Sequence, residues 1–173
     1  MKVIFLDVDG VLTSEDYLNG RELDLDETKI RILKTIQEKT ASKIVLSSSW
    51  RHHKGKSIPN KLNPYDVLEK LLLKNGLTIY DITPTIKRIK KVNNHIMFYP
   101  IVNTDSKRGE EILSWINQNH PESFLIIDDN VHDYQECNLE NNLLKTSYYD
   151  GGLKQEHIEK ALEILNNENK KIK

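Results

Sequence analysis

One cysteine, Cys137, is all the thiol that the 173 residues hold. It has no partner for an internal disulfide, and nothing beside it in sequence has a metal-ligand spacing. A reducing compartment, the cytoplasm, is expected. Long apolar runs are missing as well. None approaches the roughly 18 residues of a membrane span, and Val3-Ile4-Phe5-Leu6 follows at once with neither a basic start nor a cleavage site before it. Net charge is nearly absent, at −1 from 25 Lys+Arg against 26 Asp+Glu. The chain therefore has no global attraction for polyanions, and a nucleic-acid site would have to be a local patch.

What remains is ordinary soluble composition, with 38% hydrophobic and 29% charged residues and a mean hydropathy of −0.58. The length suits one domain, 1–173, with a full core, and a monomer is expected. The stretch Lys2-Val3-Ile4-Phe5-Leu6-Asp7-Val8-Asp9-Gly10-Val11 organises the rest. An apolar strand ends in Asp7 and Asp9, which the two-residue repeat of a strand sends to the same side. Neighbouring carboxylates repel unless a cation lies between them or one keeps a proton, so a divalent metal or an acid/base pair is the economical reading. Taken alone, Asp-Gly after a strand also reads as a simple turn.

Downstream, strands and helices alternate. Residues 14–25 are polar loop. The spacing of Ile30, Leu33 and Ile36 predicts a helix over Asp26 to Lys39, capped by Asp24 or Asp26. Lys43-Ile44-Val45-Leu46 is a short buried strand ending in Ser47-Ser48-Ser49-Trp50-Arg51. After a basic, irregular stretch, Asn63-Pro64 starts a helix that Asn75-Gly76 stops. Leu77 to Ile82 is a strand. Residues 85–106 carry Lys87, Arg88, Lys90 and Lys91 and a short strand at Ile96 to Ile101, and are read as an insertion or small flap. A helix over Lys107 to Asn119, capped by Asp105 or Ser106, precedes the strand Phe124-Leu125-Ile126-Ile127, which ends in Asp128-Asp129 with Asp133 beyond. A strand at Leu143 to Thr146 and a helix with Ile158, Ala161, Leu162 and Leu165 complete the pattern. Such alternation implies an α/β fold, a parallel sheet with helices on both faces.

Three strands thus end in residues suited to phosphate or metal chemistry, and a parallel sheet brings those ends to one edge. Asp7-x-Asp9-Gly10-Val11, the serines at 47–49, Lys107-Arg108-Gly109 and Asp128-Asp129 resemble, in order, the four motifs of the haloacid dehalogenase (HAD) superfamily of phosphohydrolases. The likeness spans roughly residues 2 to 133. Leu-x-Ser-Ser-Trp-Arg and Arg-Gly-Glu-Glu-Ile-x-x-Trp look like the small single-domain members, some of which are domains of predicted RNA repair proteins.

The resemblance implies a Rossmann-like, HAD-like fold with at most a small cap, and a Mg²⁺-dependent phosphomonoester hydrolase working through an aspartyl phosphate. Asp7 would be the nucleophile and Asp9 the general acid and then base. Mg²⁺ would take oxygens from the Asp7 carboxylate, the Asp9 carbonyl and Asp129, with Asp128 as neighbour and Asp133 as an orienter. Ser48 would bond a phosphoryl oxygen, with Ser47 as competitor and Ser49 beside them. Arg108 would take the place where superfamily members usually have Lys, with Lys107 as the alternative. Trp50 and Trp115 read as packing residues, and His52 and His53 as a solvated loop. Arg51, with His52, Lys54 and Lys56, follows the second motif directly and is a candidate contact to substrate, either a phosphorylated nucleic-acid end or a small phosphorylated molecule. The rival readings are a phosphotransferase that passes the phosphoryl group to another acceptor, and a non-catalytic binding module. Retention of both Asp7 and Asp9 speaks against the second.

Overall fold

A computed structural model describes residues 1–16, 23–86, 89–92, 95–98 and 107–167, with only the backbone path for 89–92 and 95–98. In chain order the elements are β1 (Lys2–Leu6), α1 (Glu27–Thr40), β2 (Lys43–Leu46), α2 (Pro64–Lys74), β3 (Ile79–Ile82), β4 (Ile89–Val92), β5 (His95–Phe98), α3 (Arg108–Asn119), β6 (Ser123–Asp128), β7 (Leu143–Lys145) and α4 (His157–Asn166).

The main sheet has the order β3-β2-β1-β6-β7, and every pairing in it is parallel. The chain winds outward from β1 through β2 to β3, then returns to the opposite side of β1 with β6. That reversal opens a crevice at the carboxyl ends of β1 and β6, where α/β sheets place their ligands. β4 and β5 form a separate antiparallel pair within the expected insertion. Residues 99–106, and with them the rest of the strand read to Ile101 and both cap candidates Asp105 and Ser106, lie outside the described residues, as do Lys87 and Arg88.

β1 is buried on both sides, and its alternation divides the core. Ile4 and Leu6, with Ile44, Leu46, Leu125 and Ile127, pack with Ile30, Leu33 and Ile36 of α1, Leu68 and Leu72 of α2 and Ala161 and Leu165 of α4. Val3 and Phe5, with Val45, Phe124 and Ile126, face Ile112, Trp115 and Ile116 of α3. Each Val, Leu, Ile or Phe among them stabilises the fold by about 1.5–3 kcal/mol on burial. Helices therefore cover both faces. Asp26 caps α1 by accepting from the Thr28 N–H at 2.7 Å. Asn63 caps α2 through the Tyr65 and Asp66 N–H groups, with Pro64 at the first helical position. Among the described residues no helix is long and apolar enough to cross a membrane.

Candidate active site

Asp7 directly follows β1, and Asp128 is the last residue of β6. The two strands run in register, Leu6 opposite Ile127, and the Asp7 N–H donates to the Ile127 carbonyl at 2.9 Å. This pairing fixes the two motifs side by side. Ligand oxygens of Asp7, Asp128 and Asp129 lie within 4.8 Å of one another. Arg108, at the start of α3, reaches into the group. Its Nη1 donates to Asp7 Oδ1 and, at 3.0 Å, to Asp128 Oδ2. Lys107 instead pairs with Glu110 at the surface. Of the two candidate cations, the fold brings Arg108 to the carboxylates.

Burial pushes the Asp7 carboxyl up, to about 7; Arg108 opposes the rise, and Asp128 adds to it. Asp129 is also raised, by burial and by its neighbours Asp128 and Asp9. Asp128 is held below the usual range: burial alone would raise it, but bonds from His132, Arg108 and the Asn130 N–H outweigh that. The Tyr134 hydroxyl donates to Asp128 Oδ2 at 2.8 Å, and the Asn130 N–H to Oδ1 at 2.8 Å. Burial also raises the phenol, with Asp128 adding to the shift, so it remains a donor. Arg108 is raised overall, because Asp7 and Asp128 outweigh the burial that would lower it.

The Asp128 oxygens are thus occupied by protein donors, whereas no described donor bonds the Asp129 carboxylate. Asp129 is the better placed of the pair to hold a metal. A hard divalent cation such as Mg²⁺ fits this all-oxygen group and would relieve the carboxylate repulsion that adds to burial in raising Asp7 and Asp129. Gly10 makes room for it. With φ at +69°, a Cβ there would stand 2.2 Å from Asp129 Oδ2. Thr13 accepts from the Gly10 N–H at 3.0 Å, and Thr146 donates to its carbonyl at 2.8 Å, so the turn is tied to the loop after β7.

Asp9 lies at the rim with an exposed face, and the protein on its other side raises its carboxyl. Its Oδ2 accepts from the Trp50 indole N–H at 3.0 Å. The expected serines differ in state. Ser48 accepts from the Trp50 N–H at 3.4 Å as the cap of a short 3₁₀ turn, Ser49–His53. Ser47 Oγ is buried with no partner among the described residues. Since a buried hydroxyl wants a partner, this favours Ser47 over Ser48 as the side chain left for a phosphoryl oxygen. Ser49 begins the turn.

Arg51 departs from its expected place among the substrate contacts. It is 5% exposed and donates to the carbonyls of Thr83, Ser47 and Ser48 at 3.2, 2.5 and 2.8 Å and to Glu111 Oε2 at 2.5 Å. Its donors brace the ends of β2 and β3 against α3. His52, Lys54 and Lys56 remain exposed at this edge.

Helix α3 needs such bracing, because the side chain of its N-cap, Lys107, caps none of the helix N–H groups. The Asp133 carboxylate supplies the cap from outside the helix, accepting from the Gly109 N–H at 2.7 Å and the Glu110 N–H at 3.2 Å. Trp115 adds a bond to Asp81 at 2.6 Å. Sequence reasoning had Asp133 as an orienter but missed Tyr134, Glu111 and the bond from Trp50 to Asp9. Nothing in their local spacing marks them.

The family of HAD domains in Swiss Army Knife RNA repair proteins matches residues 3–158. The chain belongs to this family. No curated protein matches it. The all-parallel sheet with helices on both faces is the HAD-like, Rossmann-like fold. Membership assigns the HAD domain to the phosphohydrolase type in general, and the acidic group at Asp7, Asp128 and Asp129 is compatible with it.

Proposed function

We propose that the chain is a Mg²⁺-dependent phosphomonoesterase acting through an aspartyl phosphate. The observation that carries this reading is the Asp7, Asp128 and Asp129 group with the Arg108 guanidinium between Asp7 and Asp128. Asp7 attacks phosphorus as the ester P–O bond breaks, and Asp9 protonates the leaving oxygen. Asp9 then takes a proton from the water that hydrolyses the intermediate, which frees Asp7 and phosphate. Arg108 stabilises charge on the nucleophile and on the transferring group, and Ser47 donates to a phosphoryl oxygen. When bound by Asp7 and Asp129, Mg²⁺ supplies charge neutralisation. The substrate class we infer is a phosphorylated nucleic-acid end, supported by the family's RNA repair proteins and by the exposed His52, Lys54 and Lys56. The burial of Arg51 removes one cation from that patch and favours, as a second reading, a small phosphomonoester.

The test is phosphate release from 3′-phosphorylated and 5′-phosphorylated oligonucleotides and a panel of small esters, with and without Mg²⁺, at two salt concentrations. Wild type is expected to release phosphate only with the metal, and Asp7→Asn, folded as judged by circular dichroism, to release none. Comparable release by Asp7→Asn would sink the mechanism. A preference for a small ester, insensitive to salt, would rule out the nucleic-acid end.

A further inference from the structure

We propose that Trp50 is a positioning residue that dictates which oxygen of Asp9 carries the proton delivered to the leaving group. The inference rests on the reading of Asp9 as general acid and deepens it. Trp50 is 8% exposed and belongs to the core that includes Ile4 and Leu6, so its ring has a fixed seat. The Ser48 hydroxyl and the 3₁₀ turn hold its backbone. From that seat the indole Nε1 reaches Asp9 Oδ2 at 3.0 Å across 41 residues of chain.

The chemistry of the donor makes this contact selective. An indole N–H donates and cannot accept. Oδ2 therefore presents a lone pair to Trp50 whether Asp9 is ionised or protonated, and because the carbonyl-type oxygen of a carboxylic acid is the better acceptor, the acid proton is favoured on Oδ1. As the ester P–O bond breaks and Asp7 bonds to phosphorus, the Oδ1–H proton passes to the leaving oxygen, giving the free alcohol. In the second step Oδ1 receives a proton from the attacking water. A side chain at position 50 able to accept as well as donate would let the proton rest on either oxygen. An apolar one would free the carboxyl to rotate at the rim.

Loss of proton delivery weighs most on esters whose leaving group needs protonation. The closing experiment therefore measures kcat/KM for Trp50→Phe on 4-nitrophenyl phosphate, whose leaving group departs as the anion, and on an alkyl phosphate, whose leaving group does not. Expected is a change of under about threefold on the aryl ester and a fall of about tenfold or more on the alkyl ester, part of the 10²–10⁴ typical of a whole general acid. Should Trp50→Phe not fold, replacement of Trp50 by its sulfur isostere, benzothienylalanine, removes the N–H at constant shape and is expected to give the same split.

Equal losses on the two esters, or none on either, would overturn the proposal and leave the role of Asp9 standing, provided that Asp9→Asn shows the alkyl-selective loss. If Asp9→Asn lacks that selectivity, the reading of Asp9 as acid falls and this proposal with it. In the Asp9→Asn background, Trp50→Phe is expected to add no further selectivity.

Discussion

Gly10→Ala and Gly55→Ala form a matched pair that isolates one contact in the candidate site. Both glycines hold nearly the same left-handed backbone, φ +69° and +70°, where a Cβ costs about 1–2 kcal/mol. Around Gly55 nothing lies within 4 Å of the new Cβ, so that backbone term stands alone. At Gly10 the Cβ would fall 2.2 Å from Asp129 Oδ2, 2.5 Å from its Cγ and 2.6 Å from its Cβ. The whole Asp129 side chain must shift, not just its tip. At roughly 2–4 °C per kcal/mol for a chain of this size, Gly55→Ala should lower Tm by about 2–8 °C with its Mg²⁺ dependence unchanged. Gly10→Ala should lose at least as much stability and also raise the Mg²⁺ concentration for half-maximal activity by about tenfold or more, at least the scale on which loss of a group that orients a ligand weakens a site. Thermal melts in the presence of a chelator and Mg²⁺ titrations of phosphate release, with Asp129→Ala as reference, measure both quantities. The same Mg²⁺ half-saturation in Gly10→Ala and Gly55→Ala would refute the placement of Asp129 as a ligand behind Gly10.

Arg108→Ala leaves the buried Asp7 and Asp128 without their cation and is expected to cost about 3–5 kcal/mol in chelator, together with severe loss of turnover. Lys107→Ala, at an exposed pair, should cost under about 1 kcal/mol, and the reverse order of effects would show the cation's register to be wrong by one. Asp133→Ala removes the cap of α3 and should cost about 0.5–2 kcal/mol, with turnover reduced through Arg108; unchanged melting and kinetics would show the cap to be idle. Burial, with Asp133 beside it, pushes the Cys137 thiol up to about 11. Iodoacetamide at pH 8 should therefore alkylate the folded protein far more slowly than the denatured chain, the rate rising as pH nears 11. Prompt labelling at pH 8 would contradict the buried thiol.

Local signals carried the framework. The apolar runs that became β1, β2 and β6 stop where the polar residues begin, and Asn63-Pro64 opens α2 as its chemistry dictates. The Leu77 strand starts only at Ile79, and β4 was not read from its basic stretch. The side-chain ties escaped for a common reason. Trp50 looks like packing because half of it is packing, and its bond to Asp9 exists only once β1 and β2 are paired. Arg51 stands next to a phosphate motif in sequence, yet besides the local carbonyls of Ser47 and Ser48 the acceptors that claim it are Thr83 and Glu111, the latter 60 residues away. α3 shows no cap of its own among the described residues, since the capping carboxylate arrives from beyond β6. Periodicity sees faces and ends, and hydrogen bonds across the sheet edge are invisible to it.

The position of β1 in the sheet has a consequence for biosynthesis. β1 is flanked by β2 on one side and by β6 on the other, and β6 begins only at Ser123. During translation one edge of a central strand that is apolar from Val3 to Leu6 can be paired early, while the other has no partner until about three quarters of these residues have emerged. Until then Val3 and Phe5 lack Phe124 and Ile126, and an open strand edge is the surface on which nascent chains stick to one another. Asp7 cannot meet Asp128 before that closure, so the candidate active-site edge and the aggregation hazard are resolved by the same late pairing.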